Sequence, residues 1–478
     1  MARSTSWTVM RVLFRGLSAY TLLLAPWVER DVGEWAVRLP SVLAGIALVP
    51  IAWLLGKEVG GRPLAWRLGA AVAVSPFFVW HSREARWYPL AWLLAGIGTL
   101  FFLRAMRRPT GSSLAGCLAF GLAAASTFSP TVTLLVVEIL WIAAIRILER
   151  AGPPSGSLTT SGVRVARRLS LSVLGALGLA WLWLALLAPA LRGGPHGFGF
   201  SNLGGPRLGA VLYAPIALAT GYTIGPGPLE WHSRPIRLPA VSESLTMLAG
   251  VAILAMLLVL GYREIAASGR RGQAAALLTL GIVPPGMVVA ASLWTDHRFA
   301  PRHVGMSFLC LLCLAAAGTL RQTGRKPLGP VLGASLLLLQ GASLLNLHSS
   351  PRYHREDVRS AAAYVSQASG PEDRVLVFGG IGLPWKHYYR GVAPWEQVSS
   401  KPSRGFTEAA VLETARAARH LFVVRGFILE DPGEQPLLRA LDEATDPLER
   451  RPFDAVEVVR RRASPAVSGS GSGEPTGP

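Results

Sequence analysis

Along the first 346 positions, apolar runs of roughly 16–22 residues alternate with short polar stretches, close to the roughly 20 residues a membrane-spanning helix needs. The runs predict spans over residues 39–56, 66–80, 88–104, 113–127, 131–148, 169–190, 244–262, 273–293, 303–320 and 328–346. Residues 7–28 are also apolar, but Arg11 and Arg15 stand four apart on one helical face. That segment reads either as a further span or as an amphipathic helix lying in the interface. Residues 191–243 form a Gly- and Pro-rich loop whose apolar piece, Leu208–Tyr222, predicts a re-entrant or surface helix. After about residue 350 the period changes. Helices are predicted over Glu356–Ala368, Thr407–Ala418 and Pro436–Ala444, and strands over Arg374–Phe378, His420–Val424 and Ala455–Arg460. Strands alternating with helices predict a small α/β domain. The fold class expected is a polytopic α-helical membrane protein of about 10–11 spans with a small C-terminal α/β domain. The domain limits are 1–349, 350–462 and a disordered Ser/Gly/Pro-rich tail at 463–478.

Composition agrees: 51% of the 478 residues are hydrophobic and 16% charged. The net charge of +19 would suit nucleic acid, but its distribution excludes that reading. Lys57, Arg62 and Arg67, then Arg104, Arg107 and Arg108, then Arg146–Arg168, Arg263–Arg271 and Arg321–Lys326 fall in alternate loops. This is the positive-inside pattern, and it makes those loops cytoplasmic. The loops at His81–Tyr88, 191–243 and Thr295–Arg302, with the C-terminal domain, then share the extracytoplasmic side. Cys117, Cys310 and Cys313 all lie in apolar runs and read as small packing residues rather than a disulfide or metal framework.

Candidate chemistry gathers in the loops on the extracytoplasmic side. His81-Ser82-Arg83-Glu84-Ala85-Arg86-Trp87-Tyr88 joins two spans and carries more charge than a turn requires. It reads as an interfacial aromatic belt touching lipid phosphates, or as a polar site. In the second case Arg86, with Arg83, holds a phosphate, and Glu84 meets a hydroxyl, a proton or a metal. Thr295–His303 adds Asp296, His297, Arg298, Arg302 and His303. The two clusters together would suit an anionic phosphate group. Glu84 and His297 are candidate ligands for a divalent metal, although the spacing matches no standard zinc signature. Trp231-His232-Ser233-Arg234 could extend the same surface, and Trp385-Lys386-His387-Tyr388-Tyr389 could stack on a sugar. There is no phosphate-binding P-loop and no dinucleotide glycine fingerprint.

Three stretches, Gly33-Glu34-Trp35-Ala36-Val37-Arg38-Leu39-Pro40-Ser41, Ser75-Pro76-Phe77 and Ser82-Arg83-Glu84-Ala85-Arg86-Trp87-Tyr88, resemble the GT-C membrane glycosyltransferases. Within these they look like the bacterial protein-mannosyltransferase-like branch that includes the aminoarabinose transferases. Arg83 stands where that family usually has Gln. Phe299-Ala300-Pro301-Arg302-His303 is similar to the family's F-x-P-R-Y, with His303 for Tyr. The resemblance covers roughly residues 30–460 and implies a GT-C fold with chemistry on the extracytoplasmic face. It implies transfer of a sugar from a polyprenyl-phosphate donor to a lipid, glycan or protein acceptor. Carried over by position, Glu84 and Arg86 line the donor phosphate cavity and Arg302 assists. Arg83, Tyr88 and Arg298 complete the expected substrate-binding set. The expected partners are the lipid-linked donor, membrane lipids and an acceptor, with no nucleic acid, and the expected location is a bacterial inner membrane.

The family's acidic motif, whose Asp acts as general base, has no counterpart before Glu29. The reading therefore expects a chain that starts later than its relatives and assigns no catalytic base, with Glu84 in a supporting role. The alternative is a non-catalytic relative that binds lipid-linked glycan or supports another transferase.

Overall fold

The computed structural model describes Tyr20 and residues 34–150, 208–227, 239–294, 299–322, 327–354, 356–398, 407–426 and 434–463. They fall into two compact units, residues 1–224 with 241–344, and residues 225–240 with 345–478. The predicted span at 169–190, the segment 7–28 except Tyr20, and the tail lie outside the described residues.

The first unit is helical: α1 (Glu34–Val74), α2 (Pro76–Ser82), α3 (Tyr88–Arg107), α4 (Gly111–Thr127), α5 (Val132–Arg150), α6 (Leu208–Thr220), α7 (Val241–Ala267), α8 (Arg271–Trp294), α9 (Gly305–Gly318) and α10 (Leu328–Ser349). Among the described residues, seven helices are long and apolar enough to cross a membrane, and α4 and residues 210–220 form shorter apolar helices. The protein therefore has a polytopic α-helical membrane fold. The predicted spans 39–56 and 66–80 are joined without a loop, because α1 reverses at the single residue Gly61 (φ 74°, ψ −166°). That backbone conformation is open essentially to glycine alone. The two arms pack closely, with Trp53 edge-on to Trp66 at 6.0 Å. Helix α9 is the hub: 89% of its apolar window is buried, against 28% for α7 and for α10. The apolar piece of the 191–243 loop is indeed a helix, α6.

The ends of these helices sort by chemistry. At one end Arg107 pairs with Glu58 at 2.8 Å, Arg67 donates to Thr319 Oγ1 at 3.1 Å, Arg321 pairs with Glu264 at 3.1 Å, and Arg270 donates to the Val59 carbonyl. The basic loops picked out by charge alternation thus meet in space. At the other end lie α2, the 83–87 loop and the turn at residues 301–304.

The second unit is a five-stranded sheet in the order β2-β1-β3-β5-β4. The strands are β1 (Arg374–Phe378), β2 (Trp395–Gln397), β3 (Leu421–Gly426), β4 (Thr445–Phe453) and β5 (Val456–Ala463). Strands β2, β1 and β3 are parallel, while β5 and β4 run antiparallel. Alternation sends Val375 and Val377 to one face, under the helix Val358–Ala368, and Leu376 and Phe378 to the other, under Glu408–Ala417 and Gln435–Ala444. Two helices start at side-chain caps, with Asp357 accepting from Ser360 N–H and Thr407 from Ala410 N–H. Within the Trp385–Tyr389 cluster, Trp385 is fully buried and stacks on Tyr389 at 5.2 Å, while Lys386 and His387 are exposed.

Candidate functional site

The sequence around Ser75-Pro76 builds the centre of the site. Pro76 opens α2 at a position where its missing N–H costs nothing. The backbone of Gly221, with φ +76°, comes against the Pro76 ring, and a Cβ there would stand 2.5 Å from it. The 221–224 segment is fixed from α10: Gln340 donates to the Ala219 carbonyl at 3.2 Å, and Thr223 pairs with the Ser343 hydroxyl at 2.7 Å. Both Gln340 and Ser343 are buried, as polar side chains in a span are when they face the bundle interior. Sequence reading missed them, and the signal was their polarity inside the apolar run 328–346.

Aromatic rings line the interior beneath. Phe77 stacks on Trp92 at 5.3 Å and on Tyr222 at 6.0 Å. His81, 3% exposed, stands edge-on to Phe77, Tyr88, Trp92 and Tyr222. Its Nε2 is 3.1 Å from the Tyr222 hydroxyl, and its Nδ1 is 3.7 Å from Glu84 Oε2. Glu84 is thus linked through His81 to Tyr222. Burial pushes the Tyr222 hydroxyl well above its usual range, Tyr213 adds to this, Arg302 opposes it, and Glu84 and Tyr88 raise it further.

The surface of the site rests on Ser41, which is fully buried. Its hydroxyl donates to the Arg86 carbonyl at 2.8 Å, accepts from the Arg86 N–H at 3.2 Å, and pairs with the Tyr20 hydroxyl at 2.6 Å. One donor and two acceptor sites are all a serine hydroxyl has, so Tyr20 is the donor in that pair. The backbone of Arg86 is clamped while its side chain stays exposed. Arg83 is also exposed, at the C-terminal cap of α2. The guanidinium of Arg302 lies 5.8 Å from the centre of the Tyr88 ring, a cation–π distance. Tyr88 itself is buried, edge-on to Phe128. His303 is buried, accepts the Ala300 N–H at 3.2 Å through Nδ1, and so turns the chain into α9.

Of the residues expected from sequence, Glu84, Tyr88 and Arg302 are joined through His81 and the Tyr88 ring, the Arg86 backbone is held by Ser41, and Arg83 lies at the rim. Asp296, His297, Arg298 and Trp231–Arg234 lie outside the described residues. No group of three metal-ligating side chains converges among the described residues. Glu138, inside α5, was not anticipated. It is 1% exposed, accepts the Thr99 hydroxyl at 2.7 Å and faces the Cys117 thiol at 3.6 Å, and so joins α3, α4 and α5.

No protein-family model matches the chain, and no curated protein matches it. Among solved structures it is similar to ArnT from Cupriavidus metallidurans bound to undecaprenyl phosphate. The TM-score is 0.49, with 13% identity over 90% of this chain and 84% of that one. It is also similar to the arabinofuranosyltransferase AftD from mycobacteria, with a TM-score of 0.29 and 16% identity over 89% of this chain and 35% of that one.

Proposed function

We propose that this chain is a membrane glycosyltransferase of the GT-C type. It takes a sugar from a polyprenyl-phosphate carrier and passes it to an acceptor hydroxyl at the membrane face where α2 and the 301–304 turn lie. The observation that carries the reading is the meeting of three motifs distant in sequence. Ser41 holds the backbone of Arg86, and Arg302 lies over Tyr88.

The reaction breaks the bond between the anomeric carbon and the phosphate oxygen. A bond forms from the acceptor oxygen to the same carbon, and the acceptor's proton passes to a base. The charge that develops on the departing lipid phosphate is what Arg86 and Arg302 stabilise, as cations placed where charge builds in the transition state. Glu84 either orients the acceptor hydroxyl or receives its proton, backed by His81. The apolar helices hold the prenyl chain.

Purified protein is tested for turnover of a series of polyprenyl-phosphate sugars. Arg86→Ala and Arg302→Ala are each expected to lower turnover by about 10²–10³-fold, the range for removing one transition-state donor. Absence of turnover and of donor binding across the series counts against the proposal. Binding without turnover, lost in Arg86→Ala, supports the second reading, a carrier-lipid-binding relative without chemistry.

A further inference from the structure

The opposite end of α3 carries a second constellation that the glycosyltransferase reading does not use. Nineteen residues separate Tyr88 from Arg107, roughly 30 Å of helix. There, a cavity of about 410 Å³ is lined by Glu58, Arg104, Arg107, Arg108 and the hydroxyls of Ser112 and Ser113. Three arginines and one carboxylate line it. Arg107 meets Glu58 at 2.8 Å and Arg104 at 3.9 Å, which leaves a net of two positive charges in the cavity. Arg104 and Arg107 are 44% and 55% exposed, so the charge is open to a ligand. The start of α4 is already occupied: Thr110 accepts the Ser113 N–H and Ser113 caps in return, so the arginines rather than the helix end provide the attraction.

The cavity also has an apolar roof. Phe101 lines it and stacks flat on Phe120 at 5.8 Å, both partly exposed. Beside them, Ser112, Ala115 and Ala119 are exposed along α4, spaced three and four apart on one face. Basic groups below and a shallow apolar face above match the two halves of a phospholipid. Arginine forks suit a phosphate oxygen pair, and the rings and small side chains accept an acyl chain. A free phosphate would use the arginines and ignore the roof. A choline headgroup would bring its cation against Arg104 and Arg108.

We infer that this cavity holds the headgroup phosphate of an anionic phospholipid in the leaflet opposite the candidate active site, with one acyl chain on the Phe101–Phe120 face. The inference needs only the membrane fold, and stands whether or not the chain transfers sugar.

The test is native mass spectrometry of the full-length protein in detergent, titrated with phosphatidylglycerol or phosphatidylcholine. Wild type is expected to retain phosphatidylglycerol at least about fivefold over phosphatidylcholine, a difference that fixed cations near a lipid surface readily supply. The combined variant Arg104→Gln, Arg107→Gln, Arg108→Gln should lose that preference. Glu58→Gln, which removes the only acid among the described residues of the cavity lining and keeps its shape, should strengthen it, and this holds the test open if the triple variant misfolds. Equal retention of both lipids by wild type overturns the inference, as does an unchanged preference in the triple variant or a weakened one in Glu58→Gln. Displacement of phosphatidylglycerol by millimolar inorganic phosphate would mark a free-phosphate site and overturn the lipid assignment.

Discussion

Two buried polar side chains govern the account at the scale of the residue. Ser41 makes three hydrogen bonds in a position closed to water. Ser41→Ala leaves the Arg86 carbonyl and the Tyr20 hydroxyl without the serine, while the Arg86 N–H keeps its bond to the Glu84 carbonyl, and unsatisfied buried groups cost about 1–3 kcal/mol. Thermal unfolding should therefore shift down, and turnover should fall because Arg86 loses its anchor. Glu138 is the second case. Glu138→Gln keeps an oxygen for Thr99 and should be nearly neutral, whereas Glu138→Ala empties a site between three helices and should cost about 2–4 kcal/mol, read by denaturation in detergent. Tyr222 sets a pH expectation. Its raised pKa keeps the hydroxyl protonated to higher pH than in the unfolded chain. Its contribution to stability is complete below about pH 10, the unfolded value, and is lost only as pH rises through the folded value. Titration of Tyr222 itself should therefore leave no inflection in the stability of the wild-type protein below about pH 9, measured by thermal unfolding across that range. Glu84, Arg86 and Arg302 could be singled out from sequence because charge is costly at a membrane edge and calls for a reason. His81, Tyr222 and Ser343 gain their meaning from neighbours between about 120 and 140 positions away in sequence, a relation no local pattern carries.

At the scale of the element, spans read from apolar runs match the helices at 88–107, 241–267, 271–294 and 328–349, because length and hydropathy suffice for a helix in lipid. The expected loop after residue 56 is instead a reversal at Gly61. Gly61→Ala should cost about 1–3 kcal/mol through backbone strain alone, measurable as reduced thermal stability with the site residues untouched. In the second unit the helices Val358–Ala368, Glu408–Ala417 and Gln435–Ala444 and strands β1, β3 and β5 were found to within a few residues, since their caps and alternation are local, whereas the short helix Gly382–Tyr388 was missed. Strand β4 was not, because Thr445-Asp446-Pro447-Leu448-Glu449-Arg450-Arg451-Pro452-Phe453 is charged and mostly exposed. Those residues suit an edge strand that must resist further pairing, and they hide it from any search for apolar alternation. Strand β2, three residues long, is too short to show a period.

At the scale of the whole molecule, the helix bundle has two chemically distinct ends. The alternation of basic loops predicted such a division, and the contacts of Glu58, Arg67, Arg270 and Arg321 gather those loops together. Close side-chain packing holds the helices together in lipid, and the charge gathered at the two ends is what the two proposals set against phosphate. The most direct test of the central claim is equilibrium binding of a sugar-free polyprenyl phosphate to the purified protein, with Arg86→Ala and Arg302→Ala beside wild type. The account predicts saturable binding weakened about tenfold or more in each variant, about 1.4 kcal/mol or more of lost phosphate contact. Equal binding by all three proteins would contradict it, because the cations at this end would then have no part in holding the carrier.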